Sequence, residues 1–443
     1  MSGFASVLAP AAVPGIPALA IERYSLDNGL EVILHENHAT PIVAVNTWYH
    51  VGSGDEQPGR TGFAHLFEHI MFMGSAHVPT GDFDRHLESA GATNNGSTTE
   101  DRTNYHETLP SNALALALWL DSDRMGYLLP ALDQTKLDVQ RDVVMNERRQ
   151  RVDNMPYGRA DETILAALYP SGHPYSWPVI GSMADLSAAT LDDVRQFFQK
   201  YYASNNATLV IAGDFSTGHA KALVERYFGD IPRGPALPPR PNPAPVVLAE
   251  DVYMVLEDRV QLPQLSYTWP TVRAFSPDDA ALAVLGSILA EGKNSRLYKT
   301  LVYDLQIAQH VNAYQYGSRL AGIFQLVVTP QPGQTPAAID RVVRDIVAQV
   351  IRDGVTEREL ARVQNSIRSS YLSQLSSVER VADMLNHYNY FVGTPDYVQH
   401  DAARFDIVTR EDVQRVATTY LGRSKVVLTV VPEGERTLMV TAT

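Results

Sequence analysis

The 443-residue sequence contains no cysteine. That excludes a disulfide frame, a thiolate nucleophile and a sulfur-liganded metal. Any metal site must use histidine and carboxylates. No stretch of about 18 apolar residues occurs, so nothing reads as a membrane-spanning helix. Positive charge is scarce: 36 Lys and Arg stand against 50 Asp and Glu, a formal net charge of -14. Such an acidic chain is a poor binder of nucleic acid, and no run of like charge forms a tail. The hydrophobic content of 45% is that of an ordinary globular protein. The length calls for more than one core. Residues 1–20 are mostly small and apolar and lack the basic start of a signal peptide, so they are expected to form an N-terminal arm.

Residues 21–26 and 30–35 alternate apolar and polar around Asn28-Gly29, which predicts a hairpin. Residues 41–51 read as a buried third strand. Helices are expected over 62–73, after Thr80 as N-cap, from Ser111 to 127, and from Asp133 to about 152. Strands are expected at 92–99 and 103–109. Seven prolines lie between Pro232 and Pro245. Proline at that density favours extended backbone and marks a linker between two bodies. The two sides of this linker repeat one another. Thr190 opens a helix that reaches Tyr201 ahead of an apolar strand, and Thr409 opens one that reaches Tyr420. Both landmarks are displaced by 219 positions (190 to 409, 201 to 420). A duplicated α+β domain is the expected fold class, with boundaries at 21–230 and 250–443 and a linker over 231–249.

The chemistry concentrates in His65-Leu66-Phe67-Glu68-His69. On a helix, residues i and i+4 sit about 5–6 Å apart on one face, so His65 and His69 can bind one ion. Glu68 points to the same side and can act on a metal-held water without being a ligand. This is the inverted zinc-peptidase pattern H-x-x-E-H. The third ligand should be a carboxylate on another element, and Glu147 lies in a strong helical pattern. His77, His86, His106 and His173 lack a histidine partner at helical spacing and read as surface or hydrogen-bonded residues. Asp82, Asp84 and Glu88 read as solvated charges.

From Gly62 to Ser75 the chain resembles the pitrilysin family, in the branch of the mitochondrial processing peptidase and its bacterial relatives. The resemblance extends over nearly all of the chain after residue 20. Glu147 follows His69 by 78 positions, the interval at which the family carries its third ligand. The segment from Gly91 to Asn95 resembles the family's entry to the active-site edge strand, and that from Pro174 to Ser182 a structural loop. The resemblance implies two homologous domains, each a mostly antiparallel sheet covered by helices, joined into a clamshell. It implies zinc on His65, His69 and Glu147, with Glu68 as catalytic base. It also implies substrate peptides adding as a strand, assigned to Asn94, Asn95, Gly96, Ser97 and Thr98.

Three positions depart from the family. The second domain normally lends an Arg and a Tyr to the transition state, but Val302 and Gln309 stand there. Arg296 and Tyr298 lie nearby at the wrong spacing and read as packing and surface residues. The chain is therefore expected to be the zinc-bearing half of a heterodimer whose homologous partner supplies that pair, a homodimer being the runner-up. Gln140 replaces a glutamate near the metal, with Asp142 or Glu100 as alternative orienting groups. The expected activity is zinc-dependent endopeptidase cleavage of oligopeptides or unfolded segments. The alternative is a non-catalytic structural or binding subunit of a larger complex. The periplasm is the expected compartment, the cytoplasm its alternative.

Overall fold

The computed structural model describes residues 13–442. The first half contains β1 (Glu22–Ser25), β2 (Glu31–Glu36), β3 (Ile42–Tyr49), β4 (Thr93–Thr98), β5 (Thr103–Pro110) and β6 (Ala207–Gly213). Its helices are α1 (Phe63–Ile70), α2 (Asp82–Ser89), α3 (Leu114–Tyr127), α4 (Gln134–Arg148), α5 (Ala160–Leu168), α6 (Met183–Ala188), α7 (Leu191–Tyr201) and α8 (Thr217–Phe228). The second half contains β7 (Val252–Asp258), β8 (Gln264–Thr271), β9 (Ala308–Gly317), β10 (Gly322–Pro330) and β11 (Val426–Pro432). Its helices are α9 (Asp279–Ala290), α10 (Pro336–Asp353), α11 (Glu357–Leu375), α12 (Val378–Val392), α13 (Val398–Asp406) and α14 (Arg410–Val416).

The strand orders are β1-β2-β6-β3-β5-β4 and β7-β11-β8-β10-β9. The second order repeats the first without its leading strand. In each sheet one pair is parallel, β2 with β6 and β7 with β11, and the remaining pairs are antiparallel. The helices that open the repeat carry the same device. Thr190 and Asp193 form a capping box on α7, and Thr409 and Asp412 form one on α14. Each satisfies backbone donors that a helix start leaves unpaired.

β6 and β11 are central strands, buried on both faces save the last residue of β11. One face of each sheet meets its own helices. The other face is covered by a helix from the opposite half. Val381, Ala382 and Leu385 of α12 pack on Ile33, Ala44, Val210 and Ala212 of the first sheet. Ala160, Ile164 and Leu168 of α5 pack with Val426, Leu428 and Val430 of β11. This exchange locks the halves together, since each buried aliphatic side chain stabilises by about 1.5–3 kcal/mol. The proline-rich segment lies along both halves. Arg240 donates to the His50 carbonyl at 3.0 Å and to the Tyr390 hydroxyl at 3.1 Å.

Residues 1–12 of the expected arm lie outside the described residues. Val13 and Ile16 are buried beside Tyr371, Met384 and Tyr388. Two expected caps are corrected. Gly81 (φ 84°), not Thr80, precedes α2, and the Thr80 hydroxyl donates instead to the Met73 carbonyl. Ser111 begins a 3-10 turn, Ser111–Ala113, and α3 starts after it without a side-chain cap. In both cases the preceding turn already fixes the helix direction. Asp133 caps α4 as expected, accepting from the Lys136 amide at 2.9 Å.

Leu385→Ala leaves a cavity between α12 and the first sheet. Urea unfolding should show a loss of about 2–5 kcal/mol. A loss below about 0.5 kcal/mol would mean that the exchanged helix contributes little to the union of the halves.

Candidate metal centre

α1 is short and held at its start by two devices. Gly62 (φ 87°) precedes it, and a Cβ there would lie 2.7 Å from the Ile180 carbonyl oxygen, so only glycine fits. The buried Glu56 carboxylate accepts from the Gly62 amide at 2.9 Å and the Ala64 amide at 2.8 Å. These bonds satisfy free donors at the positive end of the helix. Phe63, Leu66, Phe67 and Ile70 turn into the core. His65, Glu68 and His69 are left on the opposite side.

α4 packs against α1 and buries Leu137, Gln140, Val144 and Arg148. One oxygen of Glu147 (Oε2) lies 3.2 Å from His69 Nε2 and 3.7 Å from His65 Nε2. The two imidazole rings are 4.8 Å apart and nearly perpendicular. One ligand atom from each of the three residues falls within 4.8 Å of the others. Burial pushes His65 down to about 4 and also lowers His69. Both shifts favour the neutral ring, the form that offers a lone pair to a metal. Two neutral imidazoles and a carboxylate are a donor set that suits zinc.

Glu147 is held from behind. Its other oxygen accepts from Arg151 at 2.8 Å. Arg151 sits one helical turn beyond, where a wide π-type turn, Arg149–Asp153, extends α4. Sequence reasoning missed this residue, although its i+4 spacing from Glu147 is the signal for such a pair. Gln140 is buried on α4 and donates to the Met73 sulfur at 2.7 Å. The alternatives to it do not approach. Asp142 is exposed, and Glu100 is bonded to the Tyr316 hydroxyl at 3.2 Å.

Glu68 accepts at 2.5 Å from the Thr98 hydroxyl. Burial raises its pKa and the Thr98 bond opposes that shift. Gly96 makes room for it: a Cβ there would stand 3.1 Å from Glu68 Cγ. The expected substrate strand is β4, which forms the edge of the first sheet. Asn94 is tied to Asp84, Asn95 to the Gly96 amide, and Ser97 to Asn104. A cavity of about 530 Å³ joins His65, His69, Glu147, Glu68 and Arg151 to β4, and its lining comes from the first half.

The other histidines take the places expected of them. His77 bonds Asp123, His106 faces Glu379, His173 stacks on Tyr169 and His86 meets Trp119. Val302 packs against the second core, and Gln309 is exposed on β9. Arg296 pairs with Glu359 at 2.6 Å, and Tyr298 packs on the same core.

Comparison with known proteins agrees with this architecture. Residues 31–179 match the model for insulinase (peptidase family M16), and residues 188–367 match that for the peptidase M16 inactive domain. The chain is 27% identical to the zinc protease PqqE of Helicobacter pylori, over 90% of each sequence. It is 22% identical to a probable mitochondrial-processing peptidase subunit beta of Arabidopsis thaliana, over 90% of this chain and 75% of the other. Its fold matches a crystal structure of a Helicobacter pylori protease with a TM-score of 0.88 and 25% identity, covering 94% of this chain and 100% of the other. It also matches the first half of the periplasmic protease PqqL of Escherichia coli, with a TM-score of 0.76 and 19% identity over 95% and 93%. With its metal-type cluster in the first half and a second half of matching topology, the chain belongs to peptidase family M16, the insulinase and pitrilysin family.

Proposed function

We propose that this chain is a zinc-dependent endopeptidase subunit that hydrolyses oligopeptides or unfolded segments. The observation that carries this reading is the convergence of His65, His69 and Glu147 beside Glu68, which is free of the ligand set. Zinc, when bound there, supplies a Lewis acid that polarises a carbonyl and acidifies water to a pKa of about 7. Glu68 takes the proton of the attacking water and returns it to the leaving amine. Thr98 orients its carboxylate, and Arg151 orients Glu147. Relatives named as zinc proteases support the choice of metal.

Peptide substrate adds to the edge of β4. The Thr99 amide donates to the Arg102 carbonyl. By the alternation of an antiparallel ladder, Asn94, Gly96 and Thr98 then direct their backbone groups outward. Pairing through backbone groups tolerates many sequences. Val302 offers no hydrogen bond to an oxyanion, and Gln309 offers neither a charge nor a phenol. The cavity lining, all from the first half, supports a homologous partner subunit that brings an Arg and a Tyr. We place the protein in the periplasm; the cytoplasm is the alternative.

The purified chain should hold about one zinc per chain by elemental analysis. Glu147→Gln should abolish retention, and Arg151→Ala should weaken affinity by about 10–100-fold. Retention by Glu147→Gln would remove that residue from the ligand set.

Glu68→Gln should lower turnover of an unstructured fluorogenic peptide by at least ~10²-fold with zinc still bound. Equal turnover would rule out Glu68 as the base. The wild-type chain alone should cleave slowly and gain activity from an Arg/Tyr-bearing homologue. Full activity alone would contradict the need for a partner.

A further inference from the structure

β4 has two faces, and the metal uses one of them. Gly96 and Thr98 face α1 and Glu68. Ser97 faces the other way, where its hydroxyl bonds Asn104 and accepts from Arg102. On that back face α12 covers β6 and β3, but it leaves a cavity of about 570 Å³ over β5 and β4. The floor includes Asn46, Asn104 and His106, and the wall includes Glu379 and Asp383 of α12.

The lining of this space is rich in polar groups, with Met384 and the rings of Tyr371 and Tyr388 as its apolar part. Arg102 lies against the Trp48 ring at 5.1 Å and bonds the Ser97 carbonyl at 2.8 Å. One oxygen of Asp383 accepts from Trp48 Nε1 at 3.1 Å and from Asn46. His106 Nδ1 lies 3.3 Å from Glu379, whose side chain is 47% exposed. An apolar interface between two halves would need none of these groups. Groups of this kind, held in place around a cavity, bind hydrogen-bonding ligands.

We propose that this cavity is a substrate subsite, filled by the polar or charged side chains of the bound peptide that point away from the metal. The inference rests on strand addition to β4. An added strand lies about 4.8 Å beyond β4, and residues directly opposite each other share a face of the sheet. Peptide residues opposite Gly96 and Thr98 turn toward Glu68. Those opposite Asn95 and Ser97 turn toward Asn104, His106 and Asp383. Selection therefore has a period of two along the peptide, and the second half of the chain, through α12, sets the preference.

The test is a degenerate library of unstructured decapeptides, incubated with the full-length, zinc-loaded chain and its homologous partner where one is required. Products are sequenced by mass spectrometry. Wild type should favour polar over large aliphatic side chains at alternate positions from the scissile bond, by about tenfold, the scale of one hydrogen bond to a charged group. Asp383→Leu should remove or reverse that preference. Glu379→Leu, at the exposed mouth and of little consequence for folding, should shift it the same way. Cleavage without a period of two, or an unchanged preference in both variants, overturns the subsite and leaves the peptidase reading standing. Absence of cleavage with zinc bound overturns both readings.

Discussion

The contact between α1 and α4 is the constraint on which the site depends. α1 carries two histidines and a glutamate on one face, and none of these can assemble a metal site without a carboxylate from elsewhere. α4 brings Glu147 to within 3.7 Å of both rings. A slip of one residue along α4 would rotate that carboxylate by about 100° and lose the site. The fixings therefore cluster at helix ends. Glu56 and Gly62 set the start of α1, and Arg148 ties the end of α4 to the Gly181 carbonyl at 2.8 Å. Gly62 and Gly181 also meet closely, since a Cβ on Gly181 would lie 2.4 Å from Gly62 Cα.

The second half contributes rigidity before it contributes chemistry. Its α12 covers the back of the first sheet, as α5 covers the back of the second. Strands buried on both faces hold the edge strand β4 in a fixed place relative to α1. The same exchange puts charged residues of α12 behind β4, so one duplication serves both positioning and selection.

Much of this was legible in the sequence. The His65-to-His69 spacing fixes a shared face on any helix, and the repeat from Thr190 to Thr409 exposes the duplicated unit. Glu147 was reached only through family spacing, because a helical glutamate has no local signature of a ligand. Arg151 was missed although it stands at i+4 from Glu147, because such pairs are common on helix surfaces. The Glu56 cap was not legible, since its carboxylate reaches Gly62 and Ala64 across a loop. Thr80 and Ser111 show the opposite failure: both have capping side chains, yet the turns before α2 and α3 make a cap unnecessary. The back-face cavity depends on α12, hundreds of positions from β4, and only the tertiary packing brings them together.

The central claim is that one zinc ion is held by two imidazoles and one carboxylate at the α1–α4 contact. X-ray absorption at the zinc edge of the zinc-loaded full chain measures this directly. Two imidazole nitrogens at about 2.0–2.1 Å with oxygen neighbours at about 2.0–2.2 Å are expected, and the imidazole signal should fall by half in His65→Ala if metal is forced in. A shell of oxygen alone, or a spectrum unchanged by that substitution, would contradict the assignment.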